Sequence, residues 1–372
     1  MSFDLAAVIR PEVRAQIPYH TGPEPAPGRR VKLDANESPF ALGEALRGEL
    51  AAEFARALAD VELHRYPDPT ARDLRALLAR DLGVAAERIL VANGSDEAIQ
   101  MLLMAAAGPG AAIAVPVPTF AMYAIGARAM GTRVVEVPLG DAFRLDADRF
   151  LEAVRQAQPR LVFLAWPNNP TGNLFDGAAV EAILAACGGR DSQALVVVDE
   201  AYVHYSGRSF LGRLDDFPNL VVLRTLSKIG LAGIRLGMLI AAPEVVREVN
   251  KVRMPYNVNA LSQAAARVVL AHGDVVRRHA AAIVVERDRV QATLAAMPGV
   301  TAFHSDANFI LLRTRRPGDA VCADLLDAGI LVRNFSRAPH LAECLRVTVG
   351  AREENDAFLH ALAAALGPRR TA

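Results

Sequence analysis

Apolar positions in this chain fall into two alternating textures from residue 70 to residue 240. Short, nearly unbroken apolar runs at Arg88 to Ala92, Ile113 to Val115, Arg133 to Val137, Leu161 to Ala165, Leu195 to Val198, Leu220 to Leu223 and Leu236 to Ile240 predict strands. Between them, apolar residues recur at helical spacing: Leu74, Leu77, Leu78 and Leu82, then Ile99, Leu102, Leu103 and Ala106. The same spacing marks Phe120 to Met130, Phe150 to Ala157 and Val180 to Cys187 as helices. Strands without polar alternation, each followed by a helix, are those of a mostly parallel sheet covered on both faces. From Asn259 the texture changes to two long helical stretches, Leu261 to Ala271 and Val275 to Met297. Strands near Phe309 to Leu312, Ile330 to Val332 and Leu345 to Val349 follow, then a last helix from Glu353 to Leu366. Asp4 to Ala15 reads as a short helix, and the prolines and glycines from Pro18 to Arg30 as a linker.

The expected class is therefore α/β. Residues 1–30 form an arm and linker, residues 31–258 a large domain with a mixed, mostly parallel sheet, and residues 259–372 a smaller α+β domain. A ligand site is expected at the carboxyl ends of the sheet strands, with the small domain closing over it.

Composition narrows the function. The chain has 372 residues with 41 basic and 41 acidic, so no global field draws it to nucleic acid or to an anionic membrane. No apolar run approaches the roughly 18 residues of a spanning helix. The first twenty residues lack the basic start and apolar core of an export signal, so a cytoplasmic protein is expected. Cys187, Cys322 and Cys344 are isolated, with neither disulfide nor metal-ligand spacing. Only three of the 41 basic residues are lysine: Lys32, Lys228 and Lys251. Where arginine serves as a cation this chain uses it, and arginine cannot replace an amine that must lose its proton or form an imine.

Four segments carry candidate chemistry. Asn93-Gly94-Ser95-Asp96 joins a strand to a helix; it reads as an ordinary cap or as an anion site at a helix N-terminus. Trp166 to Gly172, with Asn168 and Asn169 between prolines, reads as a turn or as a rigid donor at a strand end. Asp199 ends an apolar strand with Tyr202 three residues on; a buried carboxylate needs a cation, whereas a strand-end Asp also serves as a cap. Lys228 lies in an apolar, glycine-punctuated stretch with Thr225, Ser227 and Arg235. Desolvation lowers an amine's pKa, and a snorkelling surface lysine fits this setting poorly. Together these groups match pyridoxal phosphate: an aldehyde for Lys228, a ring nitrogen for Asp199, a ring oxygen for Asn169 and Tyr202, and a phosphate for Ser95, Thr225, Ser227 and Arg235.

Asn169-Pro-Thr-Gly, then Asp199-Glu-Ala-Tyr, then Ser227-Lys228, at separations of 30 and 29 residues, resemble the fold-type I pyridoxal-phosphate transferases. Leu33 to Pro39, Arg65 to Pro69, Pro118 to Tyr123, Ser305 to Phe309 and Leu345 to Gly350 resemble the histidinol-phosphate aminotransferase family. The resemblance implies that Lys228 holds the cofactor and moves a proton during transamination between histidinol phosphate and 2-oxoglutarate, giving glutamate. It implies that the backbone amides of Ser95 and Asp96 join the phosphate cup and that Phe120 stacks on the ring. Tyr66 matches a residue lent by a neighbouring subunit, so a homodimer is implied. Arg346 matches a grip on a substrate carboxylate and Arg333 one on a substrate phosphate; Tyr19, Asn36, Tyr256 and Asn308 match further pocket positions. This sequence departs from the pattern in two places: Lys228 and Arg235 are seven apart where many relatives have one more residue, and Phe120 replaces a tyrosine.

Alternatives on the same frame are an aromatic aminotransferase and a decarboxylase of a phosphorylated amino acid. A ligand-sensing regulator of transcription would need a helix-turn-helix unit, for which the segment before the linker is too short.

Overall fold

The computed structural model describes residues 3–17, 31–41, 49–190 and 192–367. Its centre is a seven-stranded sheet of β2 (Ile89–Ala92), β3 (Ala112–Val117), β4 (Arg133–Pro138), β5 (Leu161–Ala165), β6 (Leu195–Asp199), β7 (Leu220–Thr225) and β8 (Gly237–Ala241), in the order β2-β8-β7-β6-β5-β3-β4. Strands β4, β3, β5, β6 and β7 run parallel, and only β8 opposes its two neighbours. The fold class read from the sequence is the one observed.

Alternate side chains explain why these strands carry no polar period. Val196 and Val198 of β6 enter one apolar cluster while Val197 enters another, and Val162 and Phe163 of β5 divide the same way. Helices α3 (Arg72–Leu82), α6 (Ala147–Ala157) and α7 (Gly177–Cys187) supply Leu74, Leu78, Phe150, Val154, Val180 and Ile183 to the first cluster. Helices α4 (Gly94–Ala106), α5 (Met122–Ala129) and α9 (Pro243–Asn250) supply Ile99, Leu102, Tyr123, Ala127, Val246 and Val249 to the second.

A second sheet of five strands has the order β1-β11-β12-β10-β9, from β1 (Val31–Leu33), β9 (Val300–Ala302), β10 (Phe309–Thr314), β11 (Ile330–Asn334) and β12 (Cys344–Thr348). Its core receives α11 (Gly273–Ala295), α12 (Gly318–Asp327) and α13 (Arg352–Leu366) through Ile283, Val321, Leu325, Phe358 and Leu362. Two elements cross between the layers. β1 pairs with β11, Val31 opposite Ile330, although 299 residues of chain separate them. Helix α10 (Ala260–Ala271) buries Ala266 and Val269 in the first cluster beside the large sheet.

The expected helix from Asp4 to Ala15 is broken into a 3₁₀ turn, Leu5–Ala7, and the single turn α1 (Pro11–Arg14). Pro11 has no amide hydrogen to extend a helix from before it, so it begins a new one. Helices α2 (Glu49–Ala59) and α8 (Val203–Ser206) complete the thirteen α-helices among the described residues. Among those residues no helix is long and apolar enough to cross a membrane.

Candidate active site

A cavity of about 460 Å³ opens where the parallel strands end, lined from both sheets. β2 leads into it through Gly94, Ser95 and Asp96, β5 through Pro167 and Asn169, β6 through Asp199, and β7 through Thr225, Ser227 and Lys228. The small sheet adds Arg333 and Arg346, which stand opposite each other in the β11–β12 register and so project on one face. The strand-following segment Asp34 to Glu37 forms another wall.

One wall carries groups that can receive an anion. The N-terminus of α4 has no side-chain cap, so its first amides rely on whatever faces them. Gly94 is left-handed, at φ +75°, and a Cβ there would stand 3.0 Å from the Arg235 guanidinium. Gly237 matters more, because a Cβ on it would lie 2.4 Å from the Gly94 carbonyl carbon and 2.6 Å from the Ser95 amide nitrogen. The first residue of β8 is thus pressed against the turn that aims those amides. Arg235 reaches the same place through two short 3₁₀ turns, donating to Ser227 Oγ at 3.3 Å and to Asp96 Oδ2 at 3.2 Å. The seven-residue spacing from Lys228 is therefore long enough to return the guanidinium to the cavity. Thr225 donates to Ser227 Oγ at 3.0 Å.

The far wall holds a buried acid. Asp199 ends β6 with 4% of its surface exposed. Its Oδ2 accepts from the Tyr123 hydroxyl at 2.7 Å and its Oδ1 from the Ala201 amide at 3.1 Å. Burial pushes the carboxyl up to about 6, against the pull of those two donors. Between the walls lies Lys228, its amine donating to the Ala35 carbonyl at 3.3 Å and standing 5.9 Å above the Tyr202 ring. Burial, aided by the Arg346 charge, brings this amine down to about 8.

The two asparagines of the proline turn divide the two readings the sequence left open. Asn168 is the turn-maker, donating to Pro118 O at 2.9 Å and Thr171 Oγ1 at 2.8 Å. Asn169 faces the cavity, accepting from Arg346 at 2.5 Å and donating to the Tyr202 hydroxyl at 3.3 Å. That hydroxyl also accepts from Asn36 Nδ2 at 2.9 Å. Arg346 donates to the Asp34 carbonyl at 2.8 Å and lies over Phe309 and Phe335. Both arginines present planar forks for a carboxylate or phosphate.

Of the residues singled out from the sequence, the cavity gathers Asn36, Ser95, Asp96, Phe120, Asn169, Asp199, Tyr202, Thr225, Ser227, Lys228, Arg235, Arg333 and Arg346. It does not gather Tyr66, Tyr256 or Asn308 from the same chain. Tyr66 is 80% exposed and stacks on Tyr256 at 4.5 Å. Asn308 sits behind the wall, donating to the Asn36 carbonyl at 3.1 Å. Tyr19 lies outside the described residues. Sequence reasoning gave no role to Tyr123, the partner of Asp199. The available signal was its position three residues after Phe120 on an apolar helix face, where a tyrosine hydroxyl needs a partner.

An uncapped helix end, a buried acid and a desolvated amine suit a ligand with a phosphate, a basic ring nitrogen and a carbonyl carbon. The family description "Aminotransferase class I and II" matches residues 29–362. The chain is 48% identical to histidinol-phosphate aminotransferase 1 of Ralstonia nicotianae over 365 residues, 97% of this chain and 95% of that protein. It is 49% identical to histidinol-phosphate aminotransferase 2 of Cupriavidus pinatubonensis over 362 residues, 96% of each. Among solved structures it is similar to the histidinol-phosphate aminotransferase of Sinorhizobium meliloti in complex with pyridoxal-5'-phosphate. The TM-score is 0.82 at 26% identity, with 96% of each chain covered.

Proposed function

This chain belongs to the class I and II aminotransferase family, and from that premise we propose that it exchanges an amino group between L-histidinol phosphate and 2-oxoglutarate with pyridoxal phosphate as cofactor. The observation that carries the proposal is the desolvated Lys228 amine sharing one cavity with the buried Asp199.

Bound pyridoxal phosphate supplies an electron sink conjugated to the substrate α-carbon. In our reading the α4 amides of Ser95 and Asp96, with Thr225, Ser227 and Arg235, hold its phosphate, and Phe120 covers its ring face. Asp199 keeps a proton on the ring nitrogen; the resulting ion pair offsets the burial that otherwise favours the neutral acid. Asn169 and Tyr202 hold the ring oxygen. Lys228 would hold the cofactor through its aldehyde, and its amine, the desolvated base of the cavity, would accept and return the proton of the substrate α-carbon. A pKa near 8 leaves part of this amine neutral at physiological pH, which an ordinary lysine at 10.5 does not.

Arg346 receives the α-carboxylate of glutamate and Arg333 the phosphate of histidinol phosphate, so two unlike amino donors share one pocket. Asn36 donates to the Tyr202 hydroxyl, and Asn308 holds Asn36 by its carbonyl. Tyr66 and Tyr256 serve the cavity of a second subunit. Their stacked, outward-facing rings, with the exposed Leu63 and Met254, support a homodimer, which we place in the cytoplasm.

An amino-donor panel tests the assignment. Histidinol phosphate and glutamate are expected to reduce the visible absorbance of the holoenzyme, and phenylalanine to do so poorly. Indifference to histidinol phosphate overturns the substrate, and a protein that stays colourless with added pyridoxal phosphate overturns the cofactor.

A further inference from the structure

Tyr123 is a fully buried side chain on α5, set among residues that are otherwise apolar. Its ring stacks on Phe163 of β5, with centroids 4.7 Å apart and planes at 13°, and meets the edge of Phe120 at 5.5 Å. Phenylalanine fills that space equally well. A buried hydroxyl costs free energy unless it is bonded, and this one is bonded to the Asp199 carboxylate.

The stacked ring fixes where the hydroxyl stands, and the hydroxyl fixes the carboxylate. With Tyr123 on Oδ2 and the Ala201 amide on Oδ1, the plane of Asp199 is set where the residue lines the cavity. The remaining titratable groups around it work the other way. Asp96 at the start of α4 and Glu200, the next residue in the chain, are acidic and favour a protonated Asp199. Burial, with the charge of Asp199 and a smaller contribution from Tyr202, opposes ionisation of Tyr123, which keeps the hydroxyl a donor.

We propose that Tyr123 is the positioning residue of this site, holding Asp199 ionised and aimed at the cofactor's ring nitrogen. The inference rests on the pyridoxal-phosphate reading above. Without the hydroxyl, Asp199 would be more basic and would compete more strongly for the proton of the ring nitrogen, and the titration of the nitrogen with which Lys228 holds the cofactor would shift upward in turn.

The test is the pH titration of visible absorbance in the Tyr123→Phe holoenzyme, beside kcat and KM. The midpoint is expected to rise by up to about one pH unit, the low-end effect of a hydrogen bond on the charged group that accepts it. kcat should fall at least tenfold while KM for both substrates holds. An unchanged midpoint overturns the proposal even where kcat or thermal stability drops, since a packing role moves only those. If Tyr123→Phe does not fold, fluorotyrosine placed at position 123, a stronger donor of nearly the same shape, should lower the midpoint; no movement there also overturns it. Wild-type protein that gains no colour with pyridoxal phosphate instead refutes the cofactor reading itself.

Discussion

Replacing Gly237 by alanine adds one methyl group and no polarity, yet it strikes the centre of the anion wall. The new Cβ stands 2.4 Å from the Gly94 carbonyl carbon, 2.6 Å from the Ser95 nitrogen and 2.9 Å from the Gly94 Cα, all of them backbone. Ordinary contact begins at 3.4 Å, so β8 and the start of α4 must separate by about 1 Å, and no flexible side chain can yield in their place. Overpacking of this kind costs about 1–3 kcal/mol. In the proposed phosphate site, the same shift would carry the Ser95 and Asp96 amides out of the usual hydrogen-bond range of about 2.8 Å. Losing one charge-assisted bond of about 1.5–3 kcal/mol weakens cofactor binding roughly ten- to hundredfold. Absorbance titration with pyridoxal phosphate measures the affinity, and urea unfolding of the cofactor-free chain measures the stability. Gly233→Ala, where a Cβ meets nothing within 4 Å, is the control and should change neither. A Gly237→Ala protein that binds pyridoxal phosphate as tightly as wild type refutes the claim that this contact aims the amides.

Two further outcomes follow from the same site. Lys228→Ala should lose transamination and visible absorbance while keeping its unfolding transition, and wild-type turnover in that variant would end the assignment of Lys228. In the cofactor-free chain the Asp199 pKa is raised from 3.8 to about 6, so its contribution to stability is complete below 3.8 and disappears as pH rises through 6. Two pH units correspond to about 3 kcal/mol, which Asp199→Asn should remove from the pH profile; parallel wild-type and variant profiles between about pH 4 and 7 contradict the burial argument.

Much of the site was legible because each part had its own local signature. Lys228 stands out as one of three lysines in a chain that writes cations as arginine, and the fold buries its side chain in the cavity that Asp199 lines. Asp199 closed a run of valines, and a residue ending a strand buried on both faces is carried into the interior with it. The β5 boundaries, Leu161 to Ala165, were read correctly because an unbroken apolar run between polar residues has few other homes. Asp4 to Ala15 misled for a local reason as well: the apolar spacing continues past Pro11, but the hydrogen bonds cannot.

What the sequence alone determined, then, is the set of chemical groups and the elements that bear them, since periodicity, capping and residue type act over a few neighbours. Only the tertiary structure decided which groups meet. It paired β1 with β11 across 299 residues, set Arg333 opposite Arg346, and seated the Tyr123 hydroxyl on Asp199, 76 residues away. It also pressed Gly237 against Gly94 and gave Asn168 and Asn169, chemically identical neighbours, opposite tasks. Such contacts arise from strand order and from which face of a strand or helix is buried. Both are settled when the whole chain packs, because the free energy of burial depends on surfaces brought together from distant segments.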